Sequence, residues 1–264
     1  MSYEHPALFY LLAFMAVAVL AVGLGARVLL WRKLASTDTV RGGGHFLRAL
    51  LGPAIFQTRL LRLSRVRWLI HMAIFWGFLL LFVESFWLMA LQWVVPEGGA
   101  TARFFADSTG EAILGLWGDV WGLVLLIGLV AALVRRYAVR SPQLETLLED
   151  AVALWFLLVV TLTGFAAEGA RLALEGEATS WAFMGRGFMW VKPAFGLEDP
   201  MTLFWIHGIL SLLLIAYLPY SKLGHVFAAP VQIALRRSAR ERAPASADRA
   251  CGGPRARERG GEPA

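Results

Sequence analysis

The sequence predicts an all-α integral membrane protein, a five-helix bundle with its N-terminus outside and its C-terminus in the cytoplasm. Three observations carry that reading. Of 264 residues, 58% are hydrophobic and only 17% are charged, below the ~25% of soluble domains. Five apolar stretches each reach the length of about 20 residues that a helix needs to cross a bilayer. Between them, arginine-rich loops alternate with acidic ones, and basic loops stay on the cytoplasmic side.

The first stretch, Pro6–Leu30, has no basic segment before it and is too long for the apolar core of a cleaved signal, so it is expected to remain as a span. The others are expected over Trp68–Val95, Ile113–Val134, Ala151–Leu174 and Met201–Ala229. Arginines crowd the first connection (Arg41, Arg48, Arg59, Arg62, Arg65, Arg67), the third (Arg135, Arg136, Arg140) and the segment after the last span. Glu97, Asp107 and Glu111 mark the second connection, and Glu175, Glu177, Glu198 and Asp199 the fourth. Five spans agree with an outside N-terminus and a cytoplasmic C-terminus.

Residues 1–235 therefore read as one membrane domain of a bacterial or archaeal cytoplasmic membrane. Residues 236–264 read as a disordered basic tail, polar and low in complexity. The net charge of +6 sits in the inner loops and tail. It implies lipid headgroups as partners rather than nucleic acid. The second half of the first loop has the pattern of an amphipathic surface helix or of a docking surface for a partner. The single cysteine, Cys251, lies in the tail, so this chain alone holds no cysteine-ligated cluster.

Five histidines remain to be placed. His5 and His45 lie outside the spans and read as solvated residues. His71, His207 and His225 lie within spans or at their ends, where an ionisable group is costly and function is the default reading. His207 and His225 are eighteen residues apart. That is five turns, or about 27 Å of rise, if the helix stays regular. Pro219 interrupts the interval. His71 and His225 fall at the same cytoplasmic depth on different helices, as two axial ligands of a b-type haem would. Interhelical hydrogen bonding is the alternative for all three, and it would make the chain a haem-free membrane anchor. Glu84 and Glu168 lie toward the outer half. With His207 they are candidates to take protons from a quinol, while Arg171 stands at ion-pair spacing from Glu168. Glu84 falls about 140° around its helix from His71, which argues against a pocket shared with the histidines.

The stretches "FWIHGILSLLLIAYLPYSKLGHVFAAPV" and "VRWLIHMAIFWGF" resemble the last and second helices of the gamma (cytochrome b) subunit of respiratory nitrate reductases. "FWGF", "TLTGFAAEGAR" and "YLPYSKLGH" resemble more closely a branch of that superfamily that accompanies heterodisulfide-reductase-like iron–sulfur proteins. The resemblance covers roughly residues 10–235. It implies a membrane cytochrome b that exchanges electrons between menaquinol or ubiquinol and an iron–sulfur subunit at the cytoplasmic face. It implies haem b between His71 and His225, and a second haem on His207. The second haem's other ligand in the nitrate reductase pattern falls here on Leu81, which cannot ligate. Met89, eighteen residues after His71, is the alternative ligand and otherwise an ordinary packing residue. The expectation is one haem per chain, with two possible, and His207 turned to quinol binding. Nothing in the chain reads as a site for a terminal substrate, so nitrate reduction does not follow from the resemblance.

Overall fold

A computed structural model describes residues 6–34, 55–93, 99–106, 108–139, 148–175, 181–194 and 200–224. Among these the chain is helical, without strands. The long helices are α1 (Pro6–Leu34), α3 (Arg65–Trp93), α5 (Ser108–Leu133) and α6 (Leu148–Glu175). The first three are apolar nearly all round, as a lipid-facing helix must be. Short helices α2 (Thr58–Leu63), α4 (Ala100–Ala106), α7 (Phe183–Phe188) and α8 (Val191–Ala194) lie in the connections, and α9 (Pro200–Tyr217) closes the bundle. Four helices are long and apolar enough to cross a membrane, over Ala7–Leu30, Arg65–Leu91, Thr109–Ala138 and Leu148–Ala173. The shorter apolar helix Met201–Tyr217 accompanies them. The chain is a multi-pass membrane protein.

The helices form an open arc. α3 packs on α5, α5 on α6, α6 on α9 and α9 on α1, which leaves α3 and α9 without extended contact. Small residues set the close approaches. A Cβ on Gly77 of α3 would stand 2.7 Å from the Leu125 Cβ and 2.8 Å from its backbone nitrogen. Backbone cannot step aside, so α3 and α5 can touch there only through glycine. Leu125, Leu129, Leu157 and Leu214 form the central core, with Ile74, Phe78 and Leu81 packed against it.

The two ends differ in charge. At one end a π-helical turn, Val134–Ala138, extends α5 and carries Arg135 and Arg136. Arg136 donates to Asp150 of α6 at 3.0 Å. At the other end Arg171 of α6 pairs with Glu168 at 2.8 Å and with Glu111 of α5 at 2.7 Å. These partners are half-exposed, so each pair adds only about 1 kcal/mol or less. They pin α5 to α6 at both ends.

The fifth expected span is corrected at its end. α9 stops at Tyr217 because Pro219 has no amide to continue the ladder. The chain then turns inside the protein. The Tyr220 and Ser221 amides donate to the Tyr217 carbonyl at 3.0 and 3.1 Å. Ser221 Oγ donates to the Leu218 carbonyl and accepts the Leu223 amide, both at 3.1 Å. Leu218 and Pro219 are fully buried. A Cβ on Gly23 of α1 would stand 2.6 Å from the Pro219 Cβ, so α1 clasps the turn. A single regular stripe from His207 to His225 therefore does not exist. The surface helix expected in the first loop is present as the six-residue α2, with Leu61 and Leu63 exposed. His5, His45, His225, Cys251 and the tail lie outside the described residues.

Candidate functional site

The gap between α3 and α9 holds a cavity of about 620 Å³, floored by α5 and α6. Such a volume suits a ligand of cofactor or drug size. Most of its wall is apolar and aromatic, with Phe78 and Phe82 of α3 stacked at 5.8 Å and Phe165 and Phe204 on the other side. Gly115, Gly118 and Gly122 of α5 and Gly164 of α6 bring backbone to the lining. A Cβ on Gly164 would stand 3.0 Å from the His207 Cε1. Glycine there gives the imidazole its seat.

His207 of α9 projects into this cavity, and its ring is held from behind. Thr163 Oγ1 sits 3.2 Å from the ring Nδ1. The threonine has one proton, which goes to the carbonyl of Val159 at 2.9 Å or Val160 at 3.0 Å. Its oxygen is therefore the acceptor, and Nδ1 carries the imidazole proton. Nε2 keeps its lone pair on the cavity side, with Ser211 Oγ 3.4 Å away, longer than an ordinary hydrogen bond. An imidazole oriented this way can ligate a metal or accept a proton.

Glu84 of α3 and Glu168 of α6 line the same cavity. Gly118 permits the first: a Cβ there would lie 3.4 Å from the Glu84 Oε1. Glu168 has the expected pairing with Arg171, which grips both its oxygens at 3.0 and 2.8 Å. Glu84 has no hydrogen bond or ion pair among the described residues. Its rotation from His71 does not separate it from His207. The cavity takes in residues 78, 81, 82, 84, 85 and 88, an arc of about 160° on the 100° rule, with Glu84 at its edge. Leu81 stands on the α3 wall, where a second ligand would be needed. Met89 is not on the lining. His71 lies on the stripe of Phe78 and Ser85, two turns nearer the arginine-rich end.

The structure adds a group that the sequence pattern does not single out. Asp119 of α5 lines the cavity and is only 3% exposed. Its Oδ2 accepts the Met184 amide at 2.7 Å, which fixes the start of α7 to the bundle. A hydrogen bond to a carboxylate is worth about 1.5–3 kcal/mol. The segment lies close: a Cβ on Gly185 would come within 2.8 Å of the Glu168 Cγ. The signal was one acid in the apolar run "GLWGDVWGL", but its partner amide is 65 residues away.

Residues 47–233 match the family model of HdrE, the E-type membrane component of dihydromethanophenazine:CoB–CoM heterodisulfide reductase. The HdrE protein of Methanosarcina barkeri is 32% identical over 208 residues, which cover 77% of this chain and 71% of the relative. That of Methanosarcina mazei is 32% identical over 208 residues, 77% of this chain and 72% of the relative. An EtfAB:quinone oxidoreductase of Syntrophomonas wolfei is 24% identical over 247 residues, 87% of this chain but 33% of the relative. No solved structure matches. Of the two resemblances read from the sequence, these comparisons show the heterodisulfide reductase branch and not the nitrate reductase gamma subunit. The chain, with four of its long helices walling one cavity, belongs to the HdrE family of heterodisulfide reductase subunits.

Proposed function

We propose that this chain is a membrane b-type cytochrome subunit that oxidises a quinol-type carrier and passes electrons to an iron–sulfur partner subunit. One observation carries the reading: His207, with Nδ1 committed to Thr163, presents Nε2 to a cavity shared with Glu84 and Glu168. The names of the relatives agree in kind, since one includes dihydromethanophenazine and another quinone. In this reading α1, α3, α5, α6 and α9 are five spans. The arginine-rich end is cytoplasmic and receives the partner, and the tail of residues 236–264 is disordered beyond it.

Two places for haem can be weighed by chemistry. The cavity offers one imidazole, with Leu81 on the opposing helix. Glu84, Glu111, Asp119 and Glu168 line it against a single cation, Arg171, already paired. Two propionates would meet like charge there, whereas a neutral carrier would not. Toward the arginine-rich end, His71 lies on the stripe facing the α3–α9 gap, and the chain leading to His225 returns there beside Arg27. His71 and His225 would hold one haem b between them, which supplies one-electron redox chemistry when bound.

The chain's own residues then divide the work. A two-electron carrier gives up two protons as it is oxidised. Nε2 of His207 accepts one, and Glu84 on the facing helix accepts the other. The Glu168–Arg171–Glu111 group leads from the cavity to the acidic end, where Glu111 is exposed. The phenylalanines sandwich the ring and exclude water.

Purification from native membranes in mild detergent is expected to bring an iron–sulfur subunit with the chain. In that complex His207→Ala should slow haem reduction by menadiol by about tenfold or more, the usual worth of a positioned proton acceptor, with the absorption spectrum unchanged. A chain that purifies alone and reduces a soluble acceptor as fast would overturn the partner. Two haems per chain, one of them lost in His207→Ala, would overturn the single-haem reading.

A further inference from the structure

The hydrogen-bonding capacity of the cavity is one-sided. Arg171 is the one cation on its wall, and its three donor nitrogens sit on Glu168 at 3.0 and 2.8 Å and on Glu111 at 2.7 Å. Ser85 Oγ spends its proton on the Leu81 carbonyl at 3.0 Å, and Thr161 Oγ1 spends its proton on the Leu157 carbonyl at 2.8 Å. Helical amides are spent within their helices. What remains open is almost wholly acceptor: the carboxylate of Glu84, the second oxygen of Asp119 and Nε2 of His207. Ser211 is the exception among the lining hydroxyls, 3.4 Å from that Nε2.

A hydrogen carrier changes its own capacity with redox state. The reduced ring presents two O–H or N–H donors. The oxidised ring presents two lone-pair acceptors in their place. A wall of acceptors bonds the first and repels the second.

We propose that the cavity selects its ligand by redox state, binding the reduced carrier and releasing the oxidised one, with Glu84 and Asp119 as the residues that set the preference. This rests on the carrier-site reading above. It goes beyond that reading by giving Asp119 a part and by making product release a property of the lining. Glu84 and His207 stand on facing helices, so the two donors of a flat ring between them each find an acceptor. Oxidation removes both bonds at once, and the product faces carboxylate oxygens on the α3 and α5 sides.

Affinities measured on the complete chain in detergent test this. Menadiol is titrated into the dithionite-reduced protein and menadione into the air-oxidised protein. 1,4-Dimethoxynaphthalene, which keeps the ring and lacks both donors, is titrated into each. Menadiol should bind about tenfold more tightly than menadione or the diether, the worth of one hydrogen bond to a charged acceptor. Glu84→Gln puts an amide donor in the same volume and should narrow that ratio to about threefold or less. Asp119→Asn should narrow it in the same direction. Equal affinities in the wild-type protein, or a ratio untouched by both substitutions, would overturn the selectivity and leave the carrier site standing. Absence of binding by all three compounds would overturn the carrier site itself.

Discussion

Replacing His71 or His225 with alanine is expected to erase the low-spin b-type absorption of the purified protein while the chain still inserts in the membrane. Axial ligation by two imidazoles is a pair property. Removal of either leaves an open coordination position and a planar group with one tether. Alanine is the best helix former, so α3 keeps its ladder and its apolar face in His71→Ala. Insertion depends on the length of that apolar run and should not change. The readout is the reduced-minus-oxidised spectrum together with haem per chain, which should fall by about tenfold or more. Unchanged spectra in both variants would rule out the pair.

Filling the cavity should be nearly as severe. Leu81→Trp puts an indole on the α3 wall, into the space that His207 faces. Reduction by menadiol should fall by about a hundredfold, or ~2.7 kcal/mol. Reduction by dithionite, which does not need the carrier site, should be unaffected. Leu81 also packs on the Leu125–Leu157–Leu214 core, so Leu81→Met serves as control. Its volume is nearly the same and its chain adapts to gaps, and it should keep the menadiol rate. If the tryptophan variant is reduced as fast as the control, the carrier binds elsewhere.

The long helices were legible because a continuous apolar run has one use in lipid. α3 and α6 each begin within about three residues of their expected starts, the usual error of such bounds. The sequence also held Glu84, Glu168, His207 and the pairing of Glu168 with Arg171, since ionisable groups stand out against leucine. The cavity itself was not legible. It exists because α3 and α9 are the two long helices of the arc that do not pack together, and no local pattern states which helices stay apart. Asp119 was missed for a related reason, since its meaning depends on where residues 181–188 return. The rotation argument against Glu84 treated a wall as a line: a cavity this wide takes in side chains from nearly half a helix circumference. Pro219 stood out as a break, and its effect on the His207–His225 geometry was larger than a kink, because the turn after it is buried and hydrogen-bonded.

The space between α3 and α9 has a bearing on how long the protein survives outside its membrane. Two helices that do not touch forgo the dispersion contacts that a filled core would give them. Any molecule resident there makes those contacts instead, and it binds the folded bundle and not the unfolded chain. By mass action, an occupant at a hundred times its dissociation constant adds about 2.7 kcal/mol to the folded state. In a membrane rich in reduced carrier, the substrate pool thus acts as part of the scaffold. Detergent extraction dilutes that pool and takes away the support, so shelf life should track carrier carried over or added back.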